Sequence, residues 1–264
     1  MLDSHDRPSK KAVIGVYIST TSYSEVVAFC NRWVDERRSD SGKRTARYVC
    51  VTSVHGVIIA RDDSQVQNIL NTADIATPDG MPLVWALRSL GIKGQQRVYG
   101  PDLMLKLCES AAQHGHRIYL YGSCEDTLVR LCYCLRRKFP EIQIAGYYSP
   151  PFRALTRDED AAVVSKIIAS QADIVFVGIS TPKQERWMYE HRQVFPGLVM
   201  IGVGAAFAFH AGTVRQAPGW MQRNGLEWLF RLLSEPKRLW RRYLLVTPRF
   251  LPLWALQRFC RRLS

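Results

Sequence analysis

The chain has 264 residues, 47% of them hydrophobic and 22% charged, and a formal net charge of +13. That balance excludes a disordered or fibrous chain and suffices for one large α/β domain carrying an appendage. The charge calls for a negative partner, whether nucleic acid, anionic lipid or a phosphorylated substrate.

Residues 1–11 are polar and read as a disordered tail, without the apolar stretch a signal peptide needs. No run of about eighteen apolar residues occurs, so no membrane span is expected. Ala12–Ile18 is rich in β-branched residues and reads as a first strand or hairpin arm. Helical segments are expected at Ser24–Arg37, Gly56–Thr72 and Met81–Leu90, with short strands at Tyr48–Val51 and Asp74–Thr77. The rhythm then becomes plainer. A helix over Pro101–His114 precedes strand Arg117–Tyr121, loop Gly122-Ser123-Cys124 and a helix to about Phe139. Strand Ile142–Tyr147, helix Asp158–Gln171, strand Asp173–Val177, a loop from Gly178, a helix from Pro182 and strand Leu198–Gly202 follow. Apolar strands without in/out alternation predict a Rossmann-like parallel sheet flanked by helices, over residues 12–217. Ligands of such sheets bind beyond the carboxyl ends of the strands.

Residues 218–264 have a different character and read as a helical, membrane-docking appendage, with breaks near Pro236 and Pro248. From Arg215 onward there are eleven Lys and Arg side chains against Glu227 and Glu235, which is +9 of the +13. Trp220, Trp228, Trp240 and Tyr243 are interleaved with them. The pattern fits either an interfacial helix, with aromatics at the lipid boundary and arginines on head groups, or a basic surface helix packed on the core. The seven cysteines are odd in number and sit mostly in apolar runs, which predicts reduced thiols in a cytoplasmic protein. Cys132 and Cys134 have no second pair at metal-ligand spacing.

Three stretches bear on chemistry. Thr77-Pro78-Asp79-Gly80 sets a carboxylate at a strand end, suited to proton transfer but equally to an ordinary turn. Gly178 through Lys183 and Gln184 offers a loop glycine, hydroxyls and a helix start whose free amides suit sugar or phosphate oxygens; a capped, solvated helix is the other reading. No G-x-G-x-x-G fingerprint stands at Gly122 or Gly202, which disfavours a dinucleotide site. Asp158-Glu159-Asp160 reads as helix N-terminal charge rather than a metal site. Arginines can neutralise a diphosphate by bidentate hydrogen bonding, and Arg231, Arg238, Arg241 and Arg242 recur at helical spacing.

Ala73 through Met81, Val177 through Glu185, and Gly202-Val203-Gly204-Ala205-Ala206-Phe207 with Ala217-Pro218, Trp220-Met221-Gln222 and Gly225 through Leu229 together resemble the WecG/TagA/CpsF family of glycosyltransferases. The likeness spans about residues 12–248. It implies an inverting, metal-independent and cofactor-free transfer of an N-acetylmannosamine-type or related hexose, in surface polysaccharide synthesis. The donor is a nucleotide-sugar, a UDP-sugar foremost, and the acceptor a polyprenyl-diphosphate-linked saccharide. The expected location is the inner face of the bacterial plasma membrane, bound peripherally to an anionic surface; nucleic acid is not an expected partner, and a homo-oligomer is compatible. Asp79 matches the catalytic base, and Gln184 a substrate-site glutamine. Arg238, with Arg241 and Arg242, matches arginines that bind diphosphate. Thr52, Ser53, Gly80, Arg97, Asp102, Gly122, Gly178, Lys183 and Arg231 complete the expected substrate-binding set. Many members carry Thr-x-Asn where this chain has Val51-Thr52-Ser53, so the hydroxyls of Thr52 and Ser53 are expected to stand in for those contacts. Ala208 occupies a position where many have an acidic residue, which lends weight to a non-catalytic, nucleotide-binding scaffold as the rival reading. A basic nucleic-acid-binding protein is the other.

Overall fold

The computed structural model describes residues 7–39 and 45–263. The chain opens with an antiparallel hairpin of β1 (Lys10–Val13) and β2 (Val16–Ser19). Its two-residue turn, Ile14-Gly15, has φ of +50° and +80°, the geometry whose twist matches the flanking strands. Order therefore begins before the expected boundary at residue 12. Arg7 pairs with Asp74 at 2.6 Å and the Lys10 ammonium donates to the Ala73 carbonyl, which ties this stretch to the body. Residues 1–6 of the expected tail lie outside the described residues.

There follow α1 (Tyr23–Ser39), β3 (Arg47–Thr52), α2 (Val54–Asp62), α3 (Ser64–Thr72), β4 (Ile75–Pro78), α4 (Met81–Ser89), α5 (Gly100–His114), β5 (Arg117–Gly122), α6 (Glu125–Lys138), β6 (Gln143–Tyr148), α7 (Arg157–Ala169), β7 (Ile174–Gly178), α8 (Lys183–His191), β8 (Val199–Gly202) and α9 (Ala206–His210). One expectation is corrected: Gly56–Thr72 is not a single helix. Asp63 leaves the helical region (φ −130°, ψ 105°), and its carboxylate accepts from the amides of Gln65 and Val66 at 2.9 and 3.1 Å. A short acceptor side chain that caps a new helix outcompetes continuation of the old one. The acidic run Asp158-Glu159-Asp160 lies in the first turn of α7 as N-terminal charge, as expected, with Thr156 and Glu159 forming a reciprocal capping box.

Strands β3 to β8 form one parallel six-stranded sheet in the order β4-β3-β8-β7-β5-β6. The apolar runs of β3, β4, β7 and β8 are buried because helices cover both faces. One face carries α2, α3, α4, α7, α8 and the hairpin; the other carries α1, α5, α6 and α9. Helix α2, leaving β3, and helix α9, leaving β8, thus depart to opposite faces from adjacent strands. That divergence opens a crevice at their carboxyl ends, the place where open α/β sheets bind ligands.

The appendage comprises α10 (Gly219–Arg223), α11 (Glu227–Ser234), α12 (Pro236–Trp240), a π-helical stretch Arg241–Val246, a 3-10 turn Thr247–Arg249 and α13 (Phe250–Leu263). Pro236 opens a helix as expected, whereas Pro248 does not break one. A proline removes one amide and crowds the preceding turn. The widened stretch absorbs this, the Thr247 amide reaching back to the Arg242 carbonyl. The appendage is fastened to the body: Phe250 and Leu239 are buried, Arg249 grips Asp62 through two bonds of 2.7 and 2.9 Å, and Gln257 bonds the backbone of Ile14 and Ala12 in the hairpin turn. Among the described residues no helix is long and apolar enough to cross a membrane.

Candidate active site

The floor of the crevice is set by close backbone approaches. Gly122 has φ +130°, and a Cβ there would lie 2.6 Å from the Gly178 carbonyl; a Cβ on Gly178 would strike the Phe207 ring at 2.8 Å. Gly122 and Gly178 are thereby required by packing between the ends of β5, β7 and α9. Gly202 plays the same part for Gln184, whose amide nitrogen would sit 2.9 Å from a Cβ at that position. Gln184 is buried and bonded at both ends of its amide: its oxygen accepts from the Gly204 amide at 3.1 Å and its nitrogen donates to Glu185 at 3.0 Å. It holds the β8–α9 loop against α8.

Asp79 follows β4, with its amide donating to the Thr52 carbonyl at 3.0 Å, so the ends of β3 and β4 define where its side chain starts. Gly80 behind it is the N-cap of α4. The Asp79 side chain keeps 21% of its exposure. Arg97 donates to the Asp79 carbonyl through Nε and reaches its carboxylate through Nη2 at 3.2 Å. The same Nη2 also pairs with Glu227 of α11 at 2.7 Å, and the Tyr99 hydroxyl donates to the other oxygen of Glu227 at 2.8 Å. One guanidinium thus serves two carboxylates, one from the body and one from the appendage. Burial is the largest influence on Asp79 and Glu227 adds to it; Arg97 and Arg242 oppose, and the carboxyl is pushed up to about 6. A carboxylate poised there is ionised at neutral pH yet more basic than a solvated one, as a general base should be.

The appendage supplies the opposite wall. Arg242 donates to the Ser53 hydroxyl at 3.4 Å, and burial lowers its guanidinium from its ordinary value. Its charge acts on Asp79, on His55 and on Glu185. The Nε atoms of Arg242 and Arg231 are buried without a hydrogen-bond partner. His55, in the first turn of α2, is held down to about 4 by burial and by Arg242, so it is neutral at neutral pH.

Several expected residues stand elsewhere. Thr52 does not offer its hydroxyl to the crevice, because it donates back to the Cys50 carbonyl at 3.2 Å. Ser53 caps α2, accepting from the Gly56 amide at 3.3 Å, and turns the same oxygen towards Arg242. Arg238 is exposed and pairs with Glu235 at 2.7 Å; Arg241 is exposed over the Trp240 ring. Of the four appendage arginines expected in the site, Arg231 and Arg242 are the ones turned inward. Asp102 lies exposed in the first turn of α5 and accepts from the Tyr23 hydroxyl at 3.3 Å, and Lys183 is exposed at the start of α8. Glu227, Tyr99, Glu185 and His55 were not foreseen. Glu227 lies within the Gly225–Leu229 string already singled out, and its position between apolar Leu226 and Trp228 was the available signal. Among the described residues no three His, Cys, Asp or Glu side chains converge as a metal-binding group.

Comparison with known proteins bears on the family of the chain. Two similar relatives, from Bacillus spizizenii and Bacillus subtilis (strain 168), are both named N-acetylglucosaminyldiphosphoundecaprenol N-acetyl-beta-D-mannosaminyltransferase. The first is 35% identical over 185 residues, 70% of each chain, and the second 34% identical over 183 residues, 69% of each chain. A family model described as Glycosyl transferase WecG/TagA/CpsF family matches residues 11–264, from the first strand through the appendage. The chain belongs to the WecG/TagA/CpsF family of glycosyl transferases.

Proposed function

We propose that this glycosyltransferase moves an N-acetylmannosamine-type hexose from a UDP-sugar to an undecaprenyl-diphosphate-linked saccharide, with inversion and without a metal ion. The observation that carries the reading is Asp79: a strand-end carboxylate pushed up to about 6, facing a wall of appendage arginines. Asp79 takes the proton of the acceptor hydroxyl as its oxygen bonds to the anomeric carbon. The bond from that carbon to the nucleotide diphosphate breaks on the opposite side, which inverts the centre. Negative charge grows on the departing diphosphate, and Arg242 and Arg231 are the cations within the site that can meet it.

Arg97 and Tyr99 hold Glu227, and through it they couple the docked appendage to the base. The exterior of the appendage supports a membrane-surface role. Leu244, Leu245, Leu251, Leu256 and Phe259 are all more than half exposed, beside exposed Trp240 and several arginines. An amphipathic run of this kind seats its apolar side at the head-group boundary, where a lipid-linked acceptor resides. The test is transfer from UDP- and GDP-sugars to a short-chain prenyl-diphosphate-linked sugar, with EDTA present. Product from the wild type and at least about a hundredfold slower formation by Asp79→Asn is expected; undiminished product from the variant removes Asp79 from its role.

A further inference from the structure

We infer that Glu185 is a specificity-determining residue for the sugar ring of a substrate, its free carboxylate oxygen accepting a hydrogen bond from a ring hydroxyl while Arg242 and Arg231 hold the attached diphosphate. This rests on the functional reading above. Glu185 lies in the first turn of α8 and is 2% exposed. Its Oε1 accepts from the Thr181 hydroxyl at 2.9 Å and from the Gln184 amide at 3.0 Å. Its Oε2 is buried and has no partner. Two bonds on one oxygen fix the plane of the carboxylate, so the other is a preoriented acceptor.

The surroundings say what that acceptor suits. Arg242 acts electrostatically on Glu185 and on His55, and Arg242 Nε, Arg231 Nε, His55 Nδ1 and Thr247 Oγ1 are likewise buried without partners. Buried polar atoms in folded proteins are nearly always satisfied, and each that is not destabilises the fold. A cluster of such atoms around one arginine points to a ligand that supplies both donors and acceptors. A phosphate alone would satisfy the guanidinium groups but be repelled by a carboxylate oxygen. A hydroxyl-bearing ring on a diphosphate satisfies both. Two substrates carry that chemistry, the nucleotide-sugar and the lipid-linked sugar. The alternative role, orienting Gln184 so that it can hold Gly204, uses only Oε1. Glu185→Gln separates the two roles, since the amide oxygen can keep the Oε1 bonds while an NH2 group replaces the free acceptor.

The experiment is calorimetric titration of the full chain and of Glu185→Gln with four probes: UDP, UDP-N-acetylmannosamine, a short-chain prenyl diphosphate, and the same lipid bearing N-acetylglucosamine. In at least one pair the wild type is expected to prefer the sugar-bearing member by about tenfold or more, the worth of a hydrogen bond to a charged group. That preference collapses in Glu185→Gln, and the pair in which it does so identifies the ring. Binding of the bare diphosphates reports that the variant is folded. A preference that survives the substitution in both pairs, or a wild type that prefers neither sugar, overturns the inference. Survival of the preference alongside wild-type transfer overturns it alone; a wild type that binds none of the probes overturns the functional reading with it.

Discussion

The sheet's carboxyl edge and the appendage meet at one site, but they are built on different terms. Around the base the body's polar groups are matched: Asp79 and Arg97 bond each other, Gln184 bonds Gly204, and Thr52 bonds its own strand. The body atoms left without partners at the site, Glu185 Oε2 and His55 Nδ1, belong to the side chains on which the Arg242 charge acts. On the appendage side Arg231 and Arg242 bring buried Nε atoms with no acceptor. The body holds a poised base in place without help from a ligand. The appendage presents cations whose Nε donors are left for oxygen-rich groups to fill. Glu227 is the exception that joins them, an appendage carboxylate seated in body chemistry.

The strongest way to break this contrast is Asp79→Asn. Loss of a general base costs about 10²–10⁴ in rate, and a fall in kcat within that range is expected in the transfer assay. The same change tests the body's static matching through stability. Asp79 titrates at about 6 in the folded chain, above its ordinary 3.8, so its protonated form is favoured by folding. Its stabilising contribution is complete below the unfolded value and is lost as pH rises through about 6. Asparagine does not ionise, so Asp79→Asn should melt above the wild type at pH 8, by up to about 3 kcal/mol, with the gain vanishing towards pH 4. Thermal unfolding at both pH values checks it; a variant less stable at pH 8 would mean that Asp79 is held mainly as a structural ion pair.

Next in size are the appendage arginines. Arg242→Ala is expected to lower kcat by about two to three orders of magnitude, the usual cost of removing a charge-stabilising donor. Arg238→Ala and Arg241→Ala should change it by less than about threefold, as exposed charges do. Steady-state rates on the three variants decide this, and equal losses would mean that the exterior arginines turn inward when substrate binds.

These same arginines show where sequence reasoning stops. In one uninterrupted helix Arg231, Arg238 and Arg242 would share a stripe, because seven and eleven residues are nearly whole numbers of turns. The chain breaks at Glu235 (φ −136°, ψ 57°), which re-aims α12 and turns Arg238 outward. The sheet was far more legible, since the apolar runs of β3, β7 and β8 encode burial on both faces directly. Asp79 was visible as a strand-end carboxylate. Glu227 was not: its partner Arg97 lies 130 positions away, and only docking of the appendage brings them together. The break at Asp63 was legible in Asp62-Asp63-Ser64 but overridden by an apolar period that continues through it. The Thr52 hydroxyl was expected to stand in for a substrate contact, and its turn back to Cys50 depends on a rotamer that spacing does not encode.

A smaller effect tests the joint itself. Glu227 raises the carboxyl of Asp79, so Glu227→Gln should move the ascending limb of kcat/KM, set near pH 6 by Asp79, to lower pH. The plateau should fall by no more than about tenfold, because a less basic carboxylate accepts the proton less readily. A pH–rate profile of both proteins is the measurement. An unshifted limb with a lowered plateau would assign Glu227 to docking alone.

The smallest expected change is at Ser53, which touches both regions through one oxygen. It caps α2 through the Gly56 amide at 3.3 Å and receives Arg242 at 3.4 Å. If the cap dominates, Ser53→Ala loses about 1 kcal/mol of stability and little activity, as removal of an N-cap does. If the hydroxyl also steadies Arg242, KM for the diphosphate substrates rises as well. Ser53→Asn discriminates the two, since asparagine caps a helix as well as serine but places its acceptor farther out. Stability restored with KM still raised would show that the position of that oxygen, and not the helix it caps, is what the appendage reads from the body.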